Sequence, residues 1–505
     1  MIFVTEKLEM LDRFCAIMWS AFFFARRRRT ANTDKLNIKM KSFTKNNALW
    51  LSVAILSFLM TSTLTVFGQV YTRPTNPAPS PKPMMQDIEV VQPNNSNPNP
   101  SSTPLINKTS SSKSVYPVLN AVDVPGYSGI LVETLDGKSV VDYNSDYAFN
   151  PASNVKILTS YAILKTFGPE SRFQTTFWTD GQVDAANGTL NGSLYVSGYD
   201  PMFNFEHGVN VAYELNRLGV SNITGNLYVT PNFAMNYNGS SVVAANTLAN
   251  TMNAAKRNGA ASAAWQNYLV NSGNYGKISV IPSVSIGGSV YVQPLSSNLR
   301  QLFSHESAPL REIVKVTMAY SNNFLSERLG DMVGGPYRVA QIAQQGAGVL
   351  PQELSIQTAS GLGINRVTPR AMMKVMRALR NELARWKMSF TDIMPVAGVD
   401  KGTLEGRFDT DFARGSVVGK TGTLGKTDGG VSALAGEVST RNGRLLFVIF
   451  NQRGSVPRFR SFQNNFVSMV QGQFGGASTL TYNPISFDVL LSKTRITYPQ
   501  RQRVN

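Results

Sequence analysis

Residues 73 to 113 decide where this chain can fold. Segments such as PTNPAPSPKP and PNNSNPNPSS carry too much Pro, Asn and Ser to build a packed core, so the stretch reads as an extended linker. Before it lies a leader, residues 1–72, with an apolar, uncharged run over 48–67 (ALWLSVAILSFLMTSTLTVF). Lys39, Lys41 and Lys45 precede that run, which is the charge layout of a secretory signal. Met40 is an alternative start, and Val66 and Gly68 are small enough for cleavage before Gln69. The run also has the roughly 20 residues that span a bilayer. It therefore serves as a cleaved signal or as a membrane anchor, and in either case the bulk of the chain leaves the cytoplasm for the periplasm or cell envelope. The earlier apolar run, Phe14 to Phe24, is too short to span.

Charge and rare residues narrow the chemistry. Lys and Arg number 48 against 31 Asp and Glu, a net of +17, part of it in the run Arg26 to Arg29. Such an excess suits an anionic neighbour or a solvated basic surface. An exported chain has no access to nucleic acid, so that partner is set aside. The single cysteine, Cys15, lies in the leader, which excludes a disulfide framework and a thiol metal site. Only His207 and His305 are present, too few for a zinc site built on several histidines. No metal and no cofactor are expected.

The folded part begins near residue 114. YSGILVETLDGKSVVDYN holds two β-rich runs around Asp136-Gly137, a hairpin signal. NPASNVKILTSYAILKTFG follows as a helix ended by Gly168 and Pro169. Residues 171–295 change character, with short β-runs, many Gly and Asn, and two similar strands, GSLYV (192–196) and TGNLYV (224–229). They read as an inserted β-rich domain. Helical patterns return over 307–329 and 368–386, the second with Thr368 as N-cap and Pro369 at the first helical position. VSALAGEVST and RLLFVIFNQ flank Asn442-Gly443, a type I′ hairpin signal. Residues 486–505 form a tail.

Three short motifs carry chemistry: Ser153-Asn154-Val155-Lys156, Ser321-Asn322-Asn323 and Lys420-Thr421-Gly422-Thr423. On a helix, positions i and i+3 share a face, so Ser153 and Lys156 can meet. A lysine amine kept neutral by burial and neighbouring positive charge can take a hydroxyl proton. Ser153 sits just after Pro151, at the positive end of the helix dipole, where an oxyanion is stabilised. Lys420 belongs to a strand, and glycines at 419 and 422 would let a substrate backbone approach. A fixed cation there suits a substrate ending in a carboxylate. Each motif alone has a plain alternative: a helix N-cap, a polar helix surface, a solvated lysine beside a turn. Their order, with the first opening a helix and the third leading into a β-hairpin, outweighs these. Gly415-Ser-Val-Val-Gly419-Lys420-Thr421 is not a phosphate loop, which needs four residues between its glycines and here has three.

These are the Ser-x-x-Lys, Ser-x-Asn and Lys-Thr-Gly elements of serine penicillin-recognising enzymes. With SGYDP (197–201), HESAPLREIV (305–314), SGLGINRVTPRAMM (360–373) and PVAGVDKGTLEGRF (395–408), residues 115 to 475 resemble the type-4, class C low-molecular-mass penicillin-binding proteins, which are D-alanyl-D-alanine carboxypeptidases and endopeptidases. The resemblance implies an α/β (α+β) fold: a five-stranded antiparallel sheet flanked by helices, formed by 114–170 and 296–485 and split by the insertion. It implies Ser153 as acylated nucleophile, Lys156 as general base and Ser321 as proton shuttle. Asn323 would bind the substrate amide and Lys156, and Lys420 with Thr421, Gly422 and Thr423 would bind substrate. Lys420 and Thr423 would carry its terminal carboxylate, and the N–H groups of Ser153 and Thr423 would form the oxyanion hole. Peptidoglycan stem peptides become the expected substrates and β-lactams the expected covalent inhibitors. Three features depart from the family: the leader is unusually long, the interval between Lys156 and Ser321 is short, and Tyr-Val-Thr-Pro-Asn-Phe follows Leu227 where the family shows aspartate. The other readings are a β-lactamase, against which stands the lack of a Glu-x-x-Leu-Asn loop, and a non-catalytic wall-binding protein, which would not need a nucleophile paired with a base.

Overall fold

The computed structural model describes residues 123–499. The leader and linker expected over 1–113 lie outside the described residues, as does the end of the tail. Among the described residues no helix is long and apolar enough to cross a membrane.

Strand β1 (Tyr127–Thr134) turns into β2 (Ser139–Tyr143) at Asp136-Gly137. Gly137 supplies φ +99°, and its N–H donates to Thr134 O at 3.0 Å. A 3-10 turn (Ala152–Asn154) leads into α1 (Val155–Phe167), which ends on Gly168 at φ +79°. Val155 to Leu164 are all buried, Lys156 included, so α1 runs through the core and is enclosed on every side.

Next come β3 (Gln174–Thr179), β4 (Leu194–Gly198), α2 (Phe205–Arg217), β5 (Leu227–Val229), α3 (Ser241–Met252), α4 (Gly259–Asn271), β6 (Val290–Val292) and β7 (Arg300–Glu306). With β11 (Arg495–Thr497), the strands form a six-stranded sheet in the order β6-β5-β4-β3-β7-β11. The two similar strands seen in the sequence lie side by side, parallel, with Leu194-Tyr195-Val196 opposite Leu227-Tyr228-Val229. A third copy, Val290-Tyr291-Val292, extends the row. The tyrosines stack at 4.7 and 5.4 Å on one face. Leu194, Val196, Leu227 and Val229 pack on the other against Val211, Leu215, Leu248 and Met252. Two features differ from the sequence reading of 171–295. The stretch holds three helices, and its sheet recruits β7 and β11 from outside it. Helices α3 and α4 carry Asn, Ser and Thr among their alanines, and a Gly opens α4, residues that blur the helical signal. They begin on Ser240 and Asn258, whose side chains accept from Val243 and Ala261 N–H groups.

The chain returns through α5 (Leu310–Tyr320), α6 (Asn323–Met332), α7 (Gly335–Ala347) and α8 (Pro369–Arg385). Thr368 caps α8, its Oγ1 accepting from Ala371 N at 2.9 Å, as its sequence predicts. The single helical pattern over 307–329 is instead two helices, because Ser321 adopts the left-handed conformation at φ +56°. Asn322 then caps α6 by accepting from Leu325 N.

Strands β8 (Val417–Leu424), β9 (Val431–Thr440) and β10 (Gly443–Gln452) complete a five-stranded, wholly antiparallel sheet, β8-β9-β10-β1-β2. The hairpin at Asn442 forms, one residue earlier than a type I′ Asn-Gly turn would place it. Thr440 pairs with Gly443, so Arg441 and Asn442 make the connection. Their N–H groups donate to Gly476 O and Phe474 O, and that tie sets the turn. Both faces of this sheet are covered, so β10 reads as an unbroken apolar run. On one face Leu131, Ala433, Val448 and Phe450 meet Ile157, Leu158 and Met372. On the other, Ile130, Leu434, Phe447 and Ile449 meet Phe462, Phe466 and Val470 of α9 (Val456–Gln473). Burial of each of the larger side chains contributes about 1.5–3 kcal/mol. The result is a rigid floor under the edge strand β8.

Candidate active site

The three motifs converge on one cleft of about 730 Å³, lined by Ser153, Ser321, Asn323, Thr421 and Thr423 among others. The 3-10 turn that presents Ser153 is strained, with Ala152 at φ +46°. Asn150 holds it. Its Oδ1 accepts from Ala152 N at 3.0 Å, and its Nδ2 donates to Gly363 O at 3.0 Å and to Asp428 Oδ2 at 2.8 Å. Asp428 also takes a two-pronged ion pair from Arg366, at 2.8 and 3.0 Å. From the other side Gly361 and Gly422 press in. A Cβ on Gly361 would lie 2.0 Å from Ala152 O, and one on Gly422 would lie 2.7 Å from Pro151 O. Sequence reasoning expects Gly419 and Gly422 to admit a substrate backbone. The neighbours that require glycine at these positions belong to the protein itself, Ala435 O for Gly419 and the nucleophile turn for Gly422.

Lys156 lies one turn beyond Ser153, with Nζ 3.2 Å from Ser153 Oγ. The same Nζ donates to Asn323 Oδ1 at 2.8 Å and to Ser360 O at 2.6 Å. Burial pulls the Lys156 amine down to about 7, against the opposing charge of Glu327. A neutral amine has two N–H donors and one lone pair. Asn323 Oδ1 and Ser360 O can only accept, so they occupy both hydrogens. The lone pair is left facing Ser153 Oγ, placed to receive its proton.

Lys420 sits in β8 and is fully buried. Its Nζ donates to Ser321 Oγ at 2.8 Å and to Thr421 O at 2.7 Å. Burial and the charge of Lys156 hold it well below an ordinary lysine. Because Lys420 donates into Ser321 Oγ, the Ser321 hydroxyl hydrogen is free to be given elsewhere. The positive charges that line the cleft are Arg407 and Arg460. Asn154, also buried, ties α1 to the sheet: with its amide oriented to satisfy both groups, it donates to Lys420 O at 2.9 Å and accepts from Ala435 N at 3.3 Å.

The sequence profile of the D-Ala-D-Ala carboxypeptidase 3 (S13) family matches residues 121–242 and 281–470, which include all three motifs. The chain belongs to that family. A D-alanyl-D-alanine carboxypeptidase of Actinomadura sp. (strain R39) is 33% identical over 171 residues, a segment covering 31% of this chain and 31% of that protein. The matched segment thus spans about a third of that relative's length. Two solved structures share the fold. One is the penicillin G-acylated Bd3459 predatory endopeptidase of Bdellovibrio bacteriovorus, in complex with immunity protein Bd3460. It is 22% identical, with a TM-score of 0.62, covering 74% of this chain and 99% of that one. The other is penicillin-binding protein 4 of Haemophilus influenzae, 20% identical, with a TM-score of 0.52, covering 70% of this chain and 98% of that one.

Several residues of this S13 site carry no role in the sequence reading. Ser360 supplies the shortest contact to Lys156, through a backbone carbonyl that leaves no side-chain signature. Glu327 anchors that carbonyl's loop, with its two carboxylate oxygens accepting from Ala359 N at 3.0 Å and Ser360 N at 2.9 Å. A signal was present: Glu327 is four residues after Asn323, on the same face of α6. The two histidines, too few in the sequence reading for a zinc site, meet with ring centroids 4.6 Å apart, buried beside Asp200 and outside the cleft lining.

Proposed function

We propose that the chain is a serine D-Ala-D-Ala carboxypeptidase or endopeptidase of the bacterial cell envelope. It acts on peptidoglycan stem peptides and is acylated by β-lactams. Ser153 Oγ attacks the carbonyl of the penultimate D-alanine while Lys156 takes its proton. The N–H groups of Ser153 and Thr423 receive the oxyanion. As the C–N bond breaks, Ser321 gives its proton to the departing amine, and Lys156 returns a proton to Ser321. Water then attacks the acyl-Ser153 ester, with Lys156 again as base, and releases the shortened peptide. Asn323 orients Lys156 and the substrate amide, and Thr421 and Thr423 bind the end of the peptide.

The observation that carries this reading is the three-contact setting of Lys156, with two pure acceptors and one hydroxyl. A wall-binding protein would have no use for an amine held neutral against its nucleophile. In this reading residues 114–170 and the part of 296–485 after β7 carry the chemistry, and the inserted 171–295, joined by β7 and β11, forms a separate lobe. Export through the leader, with cleavage or anchoring, belongs to the same proposal. The deciding experiment incubates the folded protein with fluorescent penicillin and with an acyl-D-Ala-D-Ala peptide. A label mapped to Ser153 together with release of D-alanine supports the reading. Rapid loss of the label with penicillin hydrolysis and no peptide turnover would make the protein a β-lactamase, and binding without a covalent label would make it a wall-binding protein.

A further inference from the structure

Lys420 does not present an accessible cation to the cleft. Its amine is closed off behind Ser321 and Thr421. Two other cations do line the same cleft, Arg407 and Arg460. The partners of Arg407 are neutral: Asn464 Oδ1 at 2.9 and 2.7 Å and Gln463 Oε1 at 3.1 Å. Arg460 Nη2 donates to Thr423 Oγ1 at 3.0 Å. Among the described residues, no carboxylate forms an ion pair with either guanidinium. Burial, with the charge of Arg460 added to it, lowers Arg407 to about 10. Arg460 is exposed, so water screens much of this repulsion, and both guanidiniums stay open to an anion that enters the cleft.

Arg407 is held in place for this. Leu404 and Phe408 on either side of it are buried, and its guanidinium lies over the Phe408 ring, 5.6 Å from the centroid. Its loop is locked to the end of α5. Thr403 N donates to Ala319 O at 2.9 Å, and Gly402 at φ +111° leaves 2.3 Å between that oxygen and any Cβ. Arg460 acts through Thr423 as well as directly. Because it donates into Thr423 Oγ1, the threonine hydroxyl keeps its own hydrogen for an outside acceptor. Donors from Thr423, Arg460 and Arg407 therefore face the same space.

We propose that Arg460, backed by Arg407, reads the carboxylate of the residue that leaves with the amine, while buried Lys420 serves Ser321. This rests on the peptidase reading above. With the scissile carbonyl against the Thr423 N–H, the next carboxylate along the peptide comes within reach of the Thr423 side chain and of the arginine beside it. A planar guanidinium can grip such a group with two parallel hydrogen bonds, which an ammonium cannot.

The test compares the wild type with Arg460→Ala, Arg460→Lys and Arg407→Gln on two substrates, an acyl-D-Ala-D-Ala peptide with a free carboxylate and its C-terminal amide. The wild type should prefer the free acid. Arg460→Ala should lose about 10- to 100-fold in kcat/KM on the acid and less than about threefold on the amide, so that the preference collapses. Arg407→Gln should move the same way by a smaller factor, and Arg460→Lys should fall between. Equal losses on both peptides, or an acid preference that survives Arg460→Ala, would overturn the assignment and leave the peptidase reading standing. A wild type that neither turns over peptide nor is acylated by penicillin would overturn both.

Discussion

The carbonyl oxygen of Ser360 lies 2.6 Å from Nζ of Lys156, closer than the 3.2 Å that separates that nitrogen from Ser153 Oγ. The nitrogen is thus committed to fixed acceptors before substrate arrives. Arginine at position 156 cannot be neutral at any working pH and cannot act as a base. Lys156→Arg should slow penicillin acylation by roughly 10²–10⁴ while the protein stays folded. Stopped-flow acylation and a thermal melt measure this, and a rate within about tenfold of wild type would assign the base elsewhere.

Lys156 must lose a proton to work, and its amine titrates near 7. Acylation should therefore rise with pH through about 7 and level off above it. Burial lowers the folded-state value below the unfolded one, so the unfolded chain binds the extra proton between about 7 and 10.5. Across that window this lysine makes the fold less stable as pH falls. Glu327 opposes the depression, because its charge favours the ammonium. Glu327→Gln should move the acylation midpoint to lower pH. A pH–rate profile reads the shift directly, and a midpoint that stays or climbs would show that this carboxylate is not felt at the amine.

Gly422→Ala places a methyl group 2.7 Å from Pro151 O and 3.0 Å from Ala152 Cβ. Strand β8 must then back away from the nucleophile turn. The expected cost is about 1–3 kcal/mol of stability, with an acylation rate at least tenfold lower. Gly472→Ala in α9 meets nothing within 4 Å and serves as the contrast. It should gain up to about 1 kcal/mol and acylate normally. Denaturant titration of both variants separates crowding at the turn from a general intolerance of alanine.

Mass mapping of the penicilloyl protein should place the label on the peptide containing Ser153, and Ser153→Ala should take up none. A label on Ser321, whose Oγ receives a hydrogen bond from Lys420, would reverse the roles of the two serines.

The parts of this site that a reader of the sequence can find are those whose chemistry is local. Ser153 and Lys156 lie one helical turn apart, and Thr368-Pro369 announces α8 by its own side chain. Ser360 and Lys156 are 204 positions apart, and the contact uses a backbone atom, so no spacing announces it. Arg460 escapes for a related reason. In sequence it is one of several arginines after β10, and only packing against Thr423 distinguishes it. The helix break at Ser321 is hidden because both flanking segments carry helical periodicity. The helices α3 and α4 are hidden because their Asn, Ser and Thr residues and few large apolar side chains give no clear helical period, although their alanines favour helix and Leu248, Met252 and Trp265 are buried.

The pairing of β1 with β10 joins residues at opposite ends of the folded chain, Tyr127 with Gln452 and Thr134 with Leu445. Ser153 follows the β1–β2 hairpin, yet the elements that complete its surroundings, Lys420 and the hairpin behind it, are made some three hundred residues later. Synthesis alone cannot arm the nucleophile. An emerging chain would carry an inert serine until some three hundred further residues had been added and the ends had met, a slow, long-range search. Reactivity toward a β-lactam would thus report that β8 and its hairpin have docked, and a truncation before residue 417 should leave Ser153 silent however well its own helix forms.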